Sequence, residues 1–450
     1  MKTHLDWSAY DTYGVGDAYA GIPATGGNYA KAVAVCMNNH QCQREGKGVM
    51  CPSFRITGDV AHSTQARVAA FKAALNGEMG DDPFASDQLA ETMDLCVSCK
   101  GCKKECPSAV DMTLIKTEYL AQRNERLGIP LRTRLFAGLP RWLNGHRALL
   151  ARLIRYRNHL PWLARLGEVS LGITARRPIP EPASTSFCPT ETETTAERGE
   201  VVLFVDTFTH YFEPDVARAA EAVLSAAGFR VRVARPAEGD TDPNRPLCCG
   251  RTYLSAGMVD AARAEAKRVM AGLTPALQAG LPVVGLEPSC LLALRDEFYS
   301  LGLGAEVQPL AKQAFLFEEF LLQAYNKGMR LPLKAIGTSK ALLHGHCHQK
   351  AFGAMKSVRK VLSWIPGFEF ELVEASCCGM AGSFGLEAEH HQASLQMAEL
   401  ALLPAVRAAE PDAPIIADGF SCRHQIEDGT GRKPIHVAVL LHQALQGNAA

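Results

Sequence analysis

The sequence carries no excess of charge: 47 basic and 47 acidic side chains leave a formal net charge of zero. No global field recruits nucleic acid, and no DNA-reading motif stands out. No uninterrupted run of about 18 apolar residues occurs, so no membrane-spanning helix is expected. The opening stretch MKTHLDWSAYDTYGVG lacks the basic start and apolar core of a secretory leader. No G-x-G-x-x-G follows a strand, so no dinucleotide, flavin included, is expected on this chain. These absences point to a cytoplasmic protein, with room for a peripheral contact on the inner face of a membrane.

Cysteine is abundant, 15 in 450 residues, and it is clustered. An odd count in clusters, in so long a chain, reads as metal ligation in a reducing compartment rather than a disulfide scaffold. The densest cluster is Cys96-Val-Ser-Cys99-Lys-Gly-Cys102-Lys-Lys-Glu-Cys106-Pro107. It has the C-x2-C-x2-C-x3-C-P spacing in which three cysteines wrap one face of a 4Fe-4S cluster and the fourth reaches another. A four-cysteine zinc site also uses C-x2-C pairs, but not this third step or the terminal Cys-Pro.

A degraded copy precedes it. Cys36 and Cys42 take the first and third places, Asn39 the second, and Cys51-Pro52 the fourth. By the cross-over rule, Cys51 completes the set Cys96, Cys99 and Cys102, and Cys106 joins Cys36 and Cys42. The second set is short of one thiol. Asn39, His40 or water would fill its open place, or the set holds nothing, His40 then being a solvated loop residue. Capped helices are expected over 62–77, from Ser63 or Thr64, and over 86–95, from Ser86. Helices around paired cysteine motifs give an α-helical ferredoxin-like 4Fe-4S domain over 31–120, behind an extended arm at 1–30. Lys100, Lys103 and Lys104 crowd the intact loop. They either make the cluster less negative or are simply solvated.

Residues 121–174 read as a basic helical connector. Trp142, Trp162 and a series of arginines lie in short helices broken by Pro130, Pro140 and Pro161. Residues 130–166 would suit an anionic membrane surface or a partner protein, or present a solvated face. A Pro/Ser/Thr/Glu-rich linker follows over 175–199, holding the isolated Cys188.

From residue 200 short β-rich runs alternate with amphipathic helices, which predicts α/β units with parallel sheets. Strands are expected over 201–205, 230–234, 282–286, 341–345, 370–374 and 414–418. This half repeats itself over 200–330 and 331–450. Cys248-Cys249-Gly250 recurs as Cys377-Cys378-Gly379, and each is followed by a single cysteine, Cys290 or Cys422. Only the second copy opens with a cysteine, in His346-Cys347-His348. Cys347, Cys377, Cys378 and Cys422 are expected to converge at the strand ends. Cys248, Cys249 and Cys290 form a weaker set: a metal site, redox thiols or relics. His344, His346 and His348 alternate around Cys347 and would share a face if the strand continued.

The chain is thus α+β and multidomain. A double ferredoxin-like motif followed by two CCG repeats resembles the iron–sulfur subunits of glycolate oxidase and anaerobic glycerol-3-phosphate dehydrogenase. The repeats alone are similar to those of heterodisulfide reductase and lactate-utilisation proteins. The stretches MCPSFRITGDVAHSTQARV and CVSCKGCKKECPSAVDMTLIKTEYLA look closest to the C-terminal half of FAD-linked D-2-hydroxyacid dehydrogenases. This chain departs from the fullest pattern at Asn39, Glu287 and Gly419, where cysteines would stand, and in the first repeat's opening cysteine.

The resemblance implies an electron-transfer component for oxidation of a 2-hydroxyacid such as lactate, glycolate or 2-hydroxyglutarate. It implies at least one 4Fe-4S cluster, with places for two or three. FAD would sit on a partner oxidase or dehydrogenase, and a quinone or other carrier would take the electrons. A thiol–disulfide reductase of the heterodisulfide type and a non-enzymatic redox sensor are the alternatives.

Overall fold

The computed structural model describes residues 1–17, 19–44, 46, 48–190, 197–337 and 340–447. Its first third is helical. Ser63 caps the helix Thr64–Leu75 by accepting from the Ala66 N–H, and Ser86 caps Asp87–Asp94 by accepting from Leu89. Asp111 likewise opens the helix Met112–Leu127. Each cap satisfies an N–H that the first helical turn leaves without a partner.

The first 30 residues are not a free arm. Leu5 and Trp7 are buried, and Trp7 packs on Tyr29 with ring centroids 5.1 Å apart. Buried Glu118 accepts from the backbone N–H groups of His4 and Leu5 and from the Trp7 indole. A cluster of Tyr29, Phe71, Phe84 and Tyr119 continues this core.

The basic connector forms the helices Leu131–Ala137, Leu139–His159 and Pro161–Leu171. Pro140 and Pro161 sit in first turns, where a missing N–H costs nothing. The described part of the expected linker also packs. Arg177 and Phe187 are buried, and the Ala183 and Phe187 N–H groups bond to Tyr211 and His210 carbonyls. Residues 191–196 of that stretch lie outside the described residues.

The second half holds two parallel sheets. β1 (Glu200–Phe204), β2 (Arg230–Val233), β3 (Val283–Gly285) and β4 (Ala314–Leu316) stand in the order β2-β1-β3-β4. β5 (Ala341–His344), β6 (Phe370–Leu372) and β7 (Ile415–Ala417) stand as β6-β5-β7. The six strands read from sequence are present, and β4 is an addition at an edge.

Strand alternation gives the first sheet two different cores. Val202, Phe204 and Val283 belong to the core that reaches Tyr29, Phe71 and Tyr119. Val201, Leu203 and Val284 belong to the core that reaches Leu343 and Ile416 of the second sheet. The first repeat is therefore the middle layer of the molecule.

Candidate metal centres

The two cysteine loops of the helical part are wound alike. Asn38 and His40, then Ser98 and Lys100, take φ of 56°, 54°, 51° and 61°. Such left-handed residues are uncommon outside glycine. They stand two and four positions after Cys36 and Cys96, so Asn39 occupies the backbone place of Cys99. The sequence gap at Asn39 leaves the loop's curl unchanged.

Cys51, Cys96, Cys99 and Cys102 line one small cavity together with Thr64 and Arg67. The Thr64 hydroxyl lies 2.9 Å from the Cys102 sulfur and 3.8 Å from that of Cys51. Arg67, 2% exposed, directs a guanidinium nitrogen to the Cys51 sulfur at 3.8 Å and donates to Ser53 and the Thr92 carbonyl. Among the described residues no carboxylate pairs with it. A buried cation facing thiols fits an anionic centre. Burial and the neighbouring Cys347 thiol push Cys99 up, and burial with Cys99 pushes Cys102 up. Cys96 is lowered, Arg67 and Lys116 together outweighing its burial. Bare, these thiols cannot all ionise; a metal would take them all as thiolates.

The second set is looser. The Gln65 N–H donates to the Cys42 sulfur at 3.3 Å, and burial, with Cys51 and Cys36 nearby, raises the Cys42 thiol. The Asn39 amide reaches the Cys106 sulfur at 3.8 Å, tying Cys106 to the loop of Cys36 and Cys42. His40 is exposed and meets Gln43 at 3.0 Å.

Lys100 and Lys103 are paired with acids rather than simply solvated. Lys100, buried, pairs with Asp296 and with Glu297 at 2.8 Å; Lys103 pairs with Asp296 and with Asp111 at 2.8 Å. Asp296 and Glu297 of the first repeat match much of their charge, so these pairs dock that repeat on the cluster loop. Lys104 alone of the three is exposed. Asp296→Ala removes one partner from each ammonium and leaves Lys100 on Glu297 and Lys103 on Asp111. Chemical denaturation is expected to show a loss of about 1–3 kcal/mol, the order of a lost charged hydrogen bond.

In the second repeat the thiols of Cys347, Cys377, Cys378 and Cys422 meet. Cys377 contacts Cys347 and Cys378, and Cys422 contacts Cys378. Those contacts and burial push Cys377 and Cys422 up, while Cys378, flanked by both, is the thiol held low. The Gly379 N–H turns back to the Cys377 sulfur at 3.4 Å, as Gly250 does to Cys248 at 3.5 Å. A site of four soft sulfurs, three of them buried, fits an iron–sulfur cluster or zinc and offers little to a hard cation.

The expected single face of histidines does not form, because β5 ends at His344 and the chain turns. His346 caps the helix Cys347–Ala351, its Nδ1 accepting the His348 N–H at 3.1 Å. Burial holds His346 neutral, at about 4, and His344 lower still, at about 3. His348 Nε2 lies 3.2 Å from the Ser98 carbonyl, and the Ser376 hydroxyl donates to Val49 at 2.9 Å. The second repeat thus sits directly on the intact cysteine loop.

The first repeat brings Cys248, Cys249 and Cys290 together, all buried and all raised. Cys248 is raised by its contact with Cys249 and by burial, and Cys249 by Cys290 and burial against the opposing contact with Cys248. Cys290 is raised by burial beside Asp206 and Glu287 against the opposing contact with Cys249. Thr207, first residue of the helix Thr207–Tyr211, stands where Cys347 opens its own helix. Glu287 stands where Gly419 does. Its carboxylate accepts the Phe420 N–H at 2.7 Å, and burial beside Asp206 raises it to about 7. The set is three thiols closed off by carboxylates.

A cavity of about 860 Å³ opens between these parts, reached by Cys96, His346, Cys347, Cys377, Cys378 and Phe420. His390 guards one side. It bridges Asp94 and Glu387, both at 2.7 Å, and stacks on Phe384. Burial opposes its protonation, but the two carboxylates outweigh burial and raise it to about 9. A raised imidazole stabilises the fold fully below its unfolded value near 6.5, and that contribution fades as pH rises through 9. Thermal unfolding is expected to weaken by about 1–2 kcal/mol over this window, discounted because Asp94 is half exposed. His390→Gln should flatten the profile.

Sequence reasoning missed Thr64, Arg67, Asp296 and His390. It also missed buried Glu318, Asp418 and His436, whose ligand atoms lie within 4.8 Å of one another. In that trio both His436 nitrogens already face backbone partners, Ala438 N–H and the Leu286 carbonyl.

The sequence model of the 4Fe-4S dicluster domain matches residues 32–110, and that of the cysteine-rich domain matches 341–427. The chain is built on an iron–sulfur domain and a cysteine-rich domain. Across 455 aligned residues it is 26% identical to the D-2-hydroxyglutarate dehydrogenase of Escherichia coli (strain K12), covering 89% of this chain and 42% of that protein. It is 27% identical over 286 residues to one of the subunits of the anaerobic glycerol-3-phosphate dehydrogenase of the same strain, 62% of this chain and 69% of that one. Lactate utilization protein A of Bacillus subtilis (strain 168) is 25% identical over 198 residues, 42% of this chain and 75% of that one. The chain spans less than half the length of the D-2-hydroxyglutarate dehydrogenases it matches. Among the described residues no helix of this iron–sulfur chain is long and apolar enough to cross a membrane.

Proposed function

We propose that this chain is the electron-transfer component of an FAD-linked 2-hydroxyacid dehydrogenase. One observation carries the reading: His348, next to Cys347, meets the Ser98 carbonyl, next to Cys99, at 3.2 Å, so two candidate cysteine sets abut. Cys51, Cys96, Cys99 and Cys102 would hold one 4Fe-4S cluster. Cys36, Cys42 and Cys106, with Asn39 beside them, would hold a second, and Cys347, Cys377, Cys378 and Cys422 a third. Clusters held there supply one-electron carriage. The chain's own part is to fix them: Arg67 and Thr64 face the first, the left-handed loops shape the first two, and the Asp296 pairs hold the domains in register.

Electrons would come from FAD on a partner subunit or domain that oxidises lactate, glycolate or 2-hydroxyglutarate. They would leave to a quinone or other carrier, which the large apolar-walled cavity beside Cys347 and Cys377 suits. The connector supports a peripheral membrane contact. Trp142, Leu149, Leu153, Tyr156, Trp162 and Leu166 are exposed among arginines, a pattern that suits an anionic interface. A thiol–disulfide reductase acting through Cys248, Cys249 and Cys290 is disfavoured, since those three are buried from any substrate.

The test is anaerobic iron and sulfide analysis with EPR of the oxidised and reduced protein. About eight or more irons per chain, with a signal lost in Cys377→Ala, are expected. Zinc without acid-labile sulfide would overturn the proposal.

A further inference from the structure

The loop that carries Cys36 and Cys42 repeats the intact cysteine loop element for element. One helix ends at Ala34 with Val35 as its cap, the other at Asp94 with Leu95 as its cap, and the first cysteine of each loop comes next. Both loops then pass through two left-handed residues, Asn38 and His40 in one, Ser98 and Lys100 in the other. A short helix opens at Gln41 or at Gly101, behind His40 at φ 54°, ψ 13° and Lys100 at φ 61°, ψ 6°. Backbones wound alike aim their side chains alike, so Asn39 stands where Cys99 gives its thiol to the neighbouring set.

Asn39 brings no fourth ligand. Its amide oxygen accepts the Gln41 N–H at 3.1 Å, which fixes the other end of the amide as the NH₂ group. That nitrogen faces the Cys106 sulfur at 3.8 Å. An amide nitrogen donates and has no lone pair for a metal, and an N–H turned on sulfur suits a charged thiolate. Cys51 is not available either, since it lines the other cavity with Cys96, Cys99 and Cys102. A four-iron cube asks for a ligand at each iron, whereas three thiolates match the same cube with one corner iron removed.

We propose that Cys36, Cys42 and Cys106 hold a three-iron cluster, with Asn39 standing at the corner where a fourth iron would need a thiolate. This rests on the reading that the second set is filled, and the experiment separates the two. The full chain is loaded anaerobically with iron and sulfide, mildly oxidised and measured by EPR. A three-iron cluster is paramagnetic when oxidised; an ordinary four-iron cluster is then silent and gains its signal on reduction. The oxidised protein is expected to show a signal that Cys36→Ala and Cys106→Ala each remove, together with about three irons per chain. That signal should survive anaerobic incubation with ferrous iron and dithiothreitol.

Asn39→Cys restores the thiol of the intact loop. It is expected to replace the oxidised-state signal by a further reduced-state one and to raise the iron content by about one per chain. Asn39→Ser and His40→Ala are expected to keep the oxidised signal. An oxidised protein that is silent although Cys106→Ala loses iron, or a signal that ferrous iron abolishes, means a four-iron cluster and overturns the three-iron assignment alone. An iron content lowered in His40→Ala overturns it too, by making His40 a ligand. No iron lost in Cys36→Ala or Cys106→Ala means an empty set, which overturns the reading of a second cluster and the assignment with it.

Discussion

Cys99→Ala is expected to remove about four irons and four sulfides per chain and to isolate the second repeat from the rest of the relay. Cys99 sits where the two candidate clusters meet: its thiol lines the small cavity with Cys51, Cys96 and Cys102 and is raised by Cys347. Losing it opens the cluster on the side that faces the next one. Stopped-flow reduction should still bleach whichever cluster lies before the break, with no electrons reaching the Cys377 set. Retained fast transfer through the variant would place the route elsewhere. Cys188→Ala is the control, since Cys188 is exposed and remote in sequence from every set.

Gly379→Ala should be the most damaging change of a single carbon. Its φ is +81°, a region that costs a side-chain-bearing residue about 1–2 kcal/mol. A Cβ there would also overlap the Ser394 carbonyl and stand 3.1 Å from the Met397 side chain, an overpacking cost of about 1–3 kcal/mol. The sum, about 2–5 kcal/mol, should lower the melting temperature by roughly 5–15 °C. The matching Gly250→Ala meets its nearest atom, the Ala262 carbonyl, at 3.0 Å and should cost less. Differential scanning calorimetry of the pair decides whether the two CCG turns are equally tight.

The sequence was most legible where spacing is chemistry. The cysteine runs named the thiols that the structure gathers, because a cluster's size dictates the steps between its ligands. Six strands were legible because buried parallel strands are apolar runs between helices. β4 was not, since Ala314–Leu316 is three residues leading straight into a helix and carries no alternation to read. What composition hid was long-range pairing. Residues 1–30 look featureless until Glu118 supplies the acceptors for His4, Leu5 and Trp7. The histidine triplet misled because periodicity was extended one turn past the end of β5. Asp296 carries no local signal, for Lys103 is almost 200 residues away, and His390 has Glu387 close by but Asp94 almost 300 residues away in the chain.

The position of Asp296 has a consequence for how such a chain can change over time. The first repeat, with Thr207 and Glu287 at its thiol positions, still braces Lys100 and Lys103 from the middle layer. Its cysteines and its acids therefore answer to different pressures. Cys248 or Cys290 could drift to other small apolar residues with little penalty, whereas a change at Asp296 would disturb a cluster loop to which that repeat contributes no ligand. A duplicated module can in this way shed its original chemistry and persist as a spacer, retained for the distance it keeps between its neighbours.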